Sequence, residues 1–329
     1  MENKKMQDKK FDVAALGELL IDFTQNGQSG QGNYMFEANP GGAPCNVLAM
    51  LQKLGKRTVF IGKVGDDFLG HHLQEVVESV GIDTENLLFD KGVHTTLAFV
   101  HTYEDGDRDF SFYRNPGADI MLSAGEVDTG VIADSRIFHF GSLSMTAGGV
   151  REATRVALHA AKDHGCLISF DPNLREPLWE TLDEAKEQIA YGMSMCDILK
   201  ISDNEIQWFT GREDYTEGVK ALRESYDIPL ILVTMGREGS RAYYGDMMVE
   251  VPPFLMENTI ETTGAGDTFC ACMLNYVLEH GIEHLTEENL EEMLGFANAA
   301  AALVTTRKGA LKVMPSKEEV LALFAKERV

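Results

Sequence analysis

The amino-acid sequence predicts an α/β fold: a mainly parallel sheet with helices on both faces, plus a small separate β-sheet. Three observations lead there. Short apolar runs such as Ile137-Phe138-His139-Phe140 and Leu230-Ile231-Leu232-Val233 alternate with longer stretches of helical periodicity, the pattern of strands buried between two helical layers. No Pro-rich, Ser-rich or repetitive linker divides the 329 residues, so one large core and a single domain over 1–329 are expected. Two insertions, at about 20–38 and 95–114, read as extended segments that lie outside the main sheet.

Taken in order, Phe11 to Leu16 is a short apolar strand ending at Gly17. Leu19 to Phe23 resumes an extended pattern in which Asp22 reads as a turn acid. Asn39 to Val47 opens a helix that runs to about Leu54 and is closed by Gly55, and the pair Gly41-Gly42 reads as a tight turn. Thr58 to Gly62 is a buried strand, followed by the loop Val64 to Gly70 into the next helix. Thr95 to Tyr103 and Asp109 to Tyr113 form a hairpin around the turn Glu104-Asp105-Gly106-Asp107. Together with Tyr34 to Phe36 they make a small sheet, and an apolar face on such a sheet invites a partner. Phe110 and Phe112 read as core of that hairpin.

Ile137 to Gly141 is a core strand, and a helix from about Gly149 to His164 leads to the strand Cys166 to Phe170. That strand ends in Asp171-Pro172-Asn173, a turn signal in its own right. Residues just past strand C-termini line the ligand crevice of an open α/β sheet, and Arg175 there offers a forked pair of donors. Asp197 to Ile201 repeats the theme, with Ser202 or Asp203 suited to cap the helix that follows. Leu230 to Thr234 runs into a loop spaced by Gly236 and Gly239, and Asn298 sits in an Ala-rich helix.

The stretch Thr259 to His280 joins three features that anion chemistry needs. Gly264-Ala265-Gly266 lets the backbone approach a ligand closely. It runs straight into a helix in which Phe269, Met273, Tyr276 and Val277 form one buried stripe. The turn therefore sits at a helix N-terminus, whose free N–H groups and dipole favour negative charge. Asp267 stands at that spot. Either it complements the dipole, or the N–H groups serve a phosphate and Asp267 is a base aimed at a hydroxyl.

Composition excludes several functions. Lys and Arg number 29 against 52 Asp and Glu, and the net charge of −23 argues against nucleic acid or an anionic membrane as partner. No apolar run approaches the roughly 20 residues that span a bilayer, and the Lys-rich start Met1 to Lys10 lacks the apolar centre of a secretory signal. Five scattered cysteines, odd in number, suit a reducing cytoplasm. Cys270 and Cys272 point to different faces of one helix and make a poor metal pair.

Thr262-Thr263-Gly264-Ala265-Gly266-Asp267-Thr268-Phe269 resembles the C-terminal signature of the ribokinase (phosphofructokinase-B) family of ATP-dependent carbohydrate kinases. Asn39 to Val47 resembles its N-terminal signature, and the likeness runs from about Phe11 to Pro315 with the motifs in family order. A ribokinase-like fold is thereby implied, with the small sheet as lid over the sugar and as the interface of a homodimer. The resemblance makes Asp267 the catalytic base and the N–H groups of Gly264, Ala265 and Gly266 the anion hole. It assigns Asp22, Gly41, Gly42 and Asn46 to the sugar, with Phe110, Phe112 and Arg114 as lid residues and Arg175 beside substrate or phosphate. Lys200, Glu205, Thr234, Gly236, Gly239, Thr262 and Asn298 are implied on the nucleotide side, Glu205 organising hydrated Mg²⁺ and Asn298 near adenine. Glu261 stands where the family usually has Asp, beside Thr263, so the K⁺ site of many members is altered here. Asp171-Pro172-Asn173-Leu174-Arg175 and Phe112 to Asp119 resemble the fructokinase branch. ATP and Mg²⁺ are then the expected cofactors, possible activation by K⁺ is carried with them, and fructose leads as acceptor. 2-Keto-3-deoxygluconate kinase and ribokinase are the alternatives within the class, and an inactive sugar-binding regulator is the alternative outside it.

Overall fold

The computed structural model describes residues 9–102 and 108–326, with backbone alone for 101–102 and 108–110. The turn expected at Glu104 to Asp107, the start Met1 to Asp8 and the side chain of Phe110 lie outside the described residues.

Thirteen strands among the described residues form two sheets. In chain order they are β1 (Phe11–Leu16), β2 (Leu20–Gln28), β3 (Tyr34–Gly41), β4 (Thr58–Gly65), β5 (Asp83–Asp90), β6 (Leu97–Thr102), β7 (Arg108–Tyr113), β8 (Ser135–Gly141), β9 (Leu167–Asp171), β10 (Ile198–Ser202), β11 (Leu230–Thr234), β12 (Ser240–Tyr244) and β13 (Met247–Val251). The large sheet has the order β13-β12-β11-β10-β9-β8-β1-β4-β5. It is parallel from β5 to β11, and β12 and β13 add an antiparallel edge.

Both faces are buried, as the apolar runs require. Along β1, Val13 and Ala15 enter one hydrophobic cluster while Ala14 and Leu16 enter the other, the two-residue alternation of a strand between two layers. The first cluster is closed by the helices Ala43–Lys53, Ala265–His280 and Glu287–Val304. The second is closed by Gly148–Asp163 and Leu182–Met195, around stacked Phe140 and Phe170 rings whose centroids lie 4.6 Å apart. All five cysteines are buried and unpaired. No helix among the described residues is long and apolar enough to cross a membrane.

The small sheet has the order β3-β2-β6-β7, so Leu20–Gln28 belongs to it and the insertion extends to Gly41 rather than ending near 38. Asn39 and Pro40 are strand, and the helix begins at Ala43. The sheet has two unlike faces. Asp22, Thr24, Val100 and Phe112 look into a crevice between the two sheets, whereas Phe23, Phe99, Phe36 and Tyr113 build an aromatic cluster on the other side. Phe23 and Phe99 stack at 4.9 Å, while Tyr34 and Tyr113 stand 61% and 64% exposed.

Phe170 is fully buried at the centre of the second cluster. Phe170→Ala is expected to cost about 3–5 kcal/mol through lost transfer energy and the cavity left behind, measured as a lower denaturant midpoint.

Candidate active site

A crevice of about 260 Å³ opens at the C-terminal ends of the parallel strands, under the small sheet. Two helices start there, each behind a glycine that an L-side chain would not replace. Gly42 precedes Ala43–Lys53 with φ 126°, and a Cβ on it would come within 2.4 Å of the Glu18 carbonyl oxygen. Gly264 precedes Ala265–His280 with φ 77°, and a Cβ there would lie 2.6 Å from the Cβ of Ala310.

The two N-termini are joined through side chains. Asn46 Nδ2 donates to Asp267 Oδ2 at 2.8 Å. Neither helix has a side-chain cap of its own. For the first, Glu18 supplies one from outside, its Oε1 accepting from the N–H of Ala43 at 2.8 Å. Burial pushes the Glu18 carboxyl up to about 7. Sequence reasoning passed over Glu18. The signal was an acid immediately after Gly17 at a strand's C-terminal end, facing a Gly-Gly helix start that lacks a capping residue.

In the second helix the ladder closes first from Thr268 N–H to the Gly264 carbonyl, so the N–H groups of Gly266 and Asp267 stand ahead of it. The expectation for Ala265 needs correction, because its N–H donates to the Thr262 carbonyl at 3.2 Å. Beside this terminus lies Lys200, at 2.9 Å from Asp171 Oδ2. A Cβ on Gly266 would meet Lys200 Nζ at 3.3 Å. Burial disfavours the Lys200 charge, but Asp171 and Glu205 outweigh it and hold the ammonium charged.

Three further acids share the crevice. Burial raises Asp22 to about 7, with Glu261 and Asp267 pushing the same way against Arg175. Burial likewise raises Asp267, opposed by the Asn46 hydrogen bond, Lys200 and Arg175. Glu261 accepts from the N–H of Gly309, tying its loop to the segment 307–310. Lys308 in that segment pairs with Glu37 of β3, a link between the main body and the small sheet.

Of the residues singled out from the sequence, the crevice gathers Asp22, Gly41, Gly42, Asn46, Phe112, Arg175, Lys200, Glu261, Thr262, Thr263, Gly264, Gly266 and Asp267. Others go elsewhere. Arg114 is buried against Asp119 and donates to Thr146 Oγ1 and the Leu143 carbonyl, so it braces the wall instead of facing a ligand. Glu205 completes a capping box with Ser202, and its other oxygen accepts from Leu174 N–H at 2.7 Å. Thr234, Gly236 and Gly239 lie at the turn between β11 and β12. Asn298 is committed to the same edge, accepting from Ser240 and donating to the Val251 and Pro252 carbonyls, which leaves its amide no free N–H for adenine.

Strand ends opening beneath a small second sheet, with two glycine-led helix starts converging on a carboxylate, make up a ribokinase-like α/β fold. The match to the pfkB family carbohydrate kinase model covers residues 10–317, and the chain belongs to that family. It is similar to the probable fructokinase-2 of Arabidopsis thaliana, 40% identical over 319 residues that cover 96% of this chain and 97% of that one. Among solved structures it is similar to the Xylella fastidiosa fructokinase with bound ATP, with a TM-score of 0.88 and 30% identity over 97% of this chain and 99% of the other. The Vibrio cholerae fructokinase in its fructose, ADP and calcium ion bound form gives a TM-score of 0.83 and 28% identity, covering 95% and 99%.

Removing one partner of a buried ion pair strands the other. Arg114→Ala is expected to destabilise the fold by about 3–5 kcal/mol, read in equilibrium unfolding. An unchanged midpoint with a raised sugar KM would instead return Arg114 to the ligand.

Proposed function

We propose that the protein is a fructokinase that transfers the γ-phosphoryl group of ATP to O6 of D-fructose. The observation that carries this is the Asp267 carboxylate held by Asn46 at the mouth of a glycine-led helix, within a chain whose relatives are fructokinases. The sugar lies against Asp22, Gly41, Gly42 and Asn46 beneath Phe112 of the lid. Asp267 takes the O6 proton as oxygen bonds to phosphorus, and the bond from phosphorus to the bridging oxygen of ADP breaks.

Charge on the transferring group meets the N–H groups of Gly264, Gly266 and Asp267 together with Lys200 and Arg175. One preorganised donor of this kind contributes about 2.7–4 kcal/mol. Mg²⁺ suits this donor set, since it keeps several waters and binds largely through phosphate oxygens. Glu205, fixed by its bonds to Ser202 and Leu174, would hold it through water, and the ion supplies neutralisation of phosphate charge. Glu261 and Thr263 are the residues that would hold K⁺. Closure of the small sheet excludes water and limits ATP hydrolysis. We place the enzyme in the cytoplasm, on the unpaired state of its thiols.

Asp267→Asn is expected to lower kcat by about 10²–10⁴. Because burial raises this acid, the wild-type rate is expected to fall with decreasing pH while still above the ordinary carboxylate range. Paired assays of ADP release with fructose, 2-keto-3-deoxygluconate and ribose should give the highest kcat/KM for fructose. A preference for either other sugar removes the fructose assignment, and sugar binding without ADP release marks an inactive regulator.

The exposed aromatic face of the lid supports a homodimer. Sedimentation should give twice the chain mass, and Tyr113→Glu should shift it toward the monomer. A monomeric wild type at micromolar concentration would end that reading.

A further inference from the structure

Asn46 is only 4% exposed, and its two amide ends have different fates. Nδ2 donates to Asp267, while Oδ1 is buried with no hydrogen-bond partner among the described residues. The orientation is not arbitrary, because turning the amide over would set its oxygen against a carboxylate oxygen. A buried acceptor left unmade costs about 1–3 kcal/mol, and such a cost beside a ligand crevice marks a bond that a ligand completes.

We infer that Asn46 is a positioning residue that joins substrate to base, its amide N–H fixing Oδ2 of Asp267 while its carbonyl oxygen accepts from a sugar hydroxyl. This rests on the reading of Asp267 as the base. With Oδ2 engaged, the proton from the sugar goes to Oδ1, and the same amide that orients the carboxylate orients the alcohol. One side chain thus aligns both reacting groups. Its N–H also favours the charged carboxylate, opposing burial. The other groups that bear on Asp267 come from four directions: Lys200 on β10, Arg175 and Asp171 at the end of β9, Asp22 on β2, and the Cys270 thiol one helical turn on. None of these groups hydrogen-bonds to the Asp267 side chain, so Asn46 is the neighbour whose loss changes its hydrogen bonding directly.

The test is Asn46→Ala and Asn46→Ser, followed in two ways. The first is the pH profile of kcat with ATP and fructose. The second is titration of the Asp267 carboxyl by NMR in ¹³C-aspartate-labelled protein, assigned by loss of its signal in Asp267→Asn. In Asn46→Ala the midpoint is expected to rise by about one pH unit or more, a tenfold gain in proton affinity, with kcat reduced. Asn46→Ser, which keeps a hydroxyl donor, should fall between it and wild type. An unmoved midpoint in folded Asn46→Ala, with only the fructose KM raised, would overturn the inference and leave Asn46 as a sugar contact alone. A wild type that does not phosphorylate fructose overturns the proposed function instead, and the NMR titration still tests whether Asn46 sets the state of Asp267.

Discussion

One hydrogen bond, between Asn46 and Asp267, 221 residues apart in the chain, ties together two helix starts. Most of the site's geometry follows from what that contact demands. Both helices must begin at the C-terminal edge of the sheet, with no side chain between their first turns. Gly42 and Gly264 meet that demand in conformations that a larger residue resists, with the Glu18 carbonyl and Ala310 closing in behind them. The helix bodies then pack in the same hydrophobic cluster, so the positions of Asn46 and Asp267 are set by apolar burial along many residues. A polar contact worth about 1 kcal/mol is thus held in place by a core worth far more.

The charge distribution around this contact is unusual for an acidic chain. Asp22, Glu261 and Asp267 crowd one crevice, and burial with mutual repulsion raises Asp22 to about 7. Lys200 is the counterweight. Asp171 holds it charged beneath the backbone of Gly266, so the region that faces phosphate keeps a buried cation although the whole chain carries −23. Net charge is informative about nucleic acid and membranes, and it is silent on a pocket a few ångströms wide.

What was legible in the sequence was what local chemistry enforces. Buried strands such as Phe11–Leu16 and Leu230–Thr234 show as apolar runs because both faces are covered, and the glycine-led helix start at Gly264 shows because its backbone needs glycine. Asp22 and Phe112, which read by themselves as a turn acid and as hairpin core, line the crevice as the family resemblance implies. What was not legible were long-range partnerships. Arg114 looked available until Asp119 and the Leu143 carbonyl claimed it. Asn298 carried a family role in the sequence, yet in the fold its amide serves a sheet edge, and the capping box that fixes Glu205 shows only once its loop is folded. Glu18 was missed because the helix it caps begins 25 residues further on.

The chain's five thiols are all enclosed, and burial lifts those of Cys45, Cys196, Cys270 and Cys272 well above their ordinary range. Little thiolate is available to an alkylating reagent at neutral pH. The molecule is therefore a dark background for cysteine chemistry. A single cysteine placed at an exposed lid position would take a fluorophore or spin label by itself, with no native sulfur to be engineered away first.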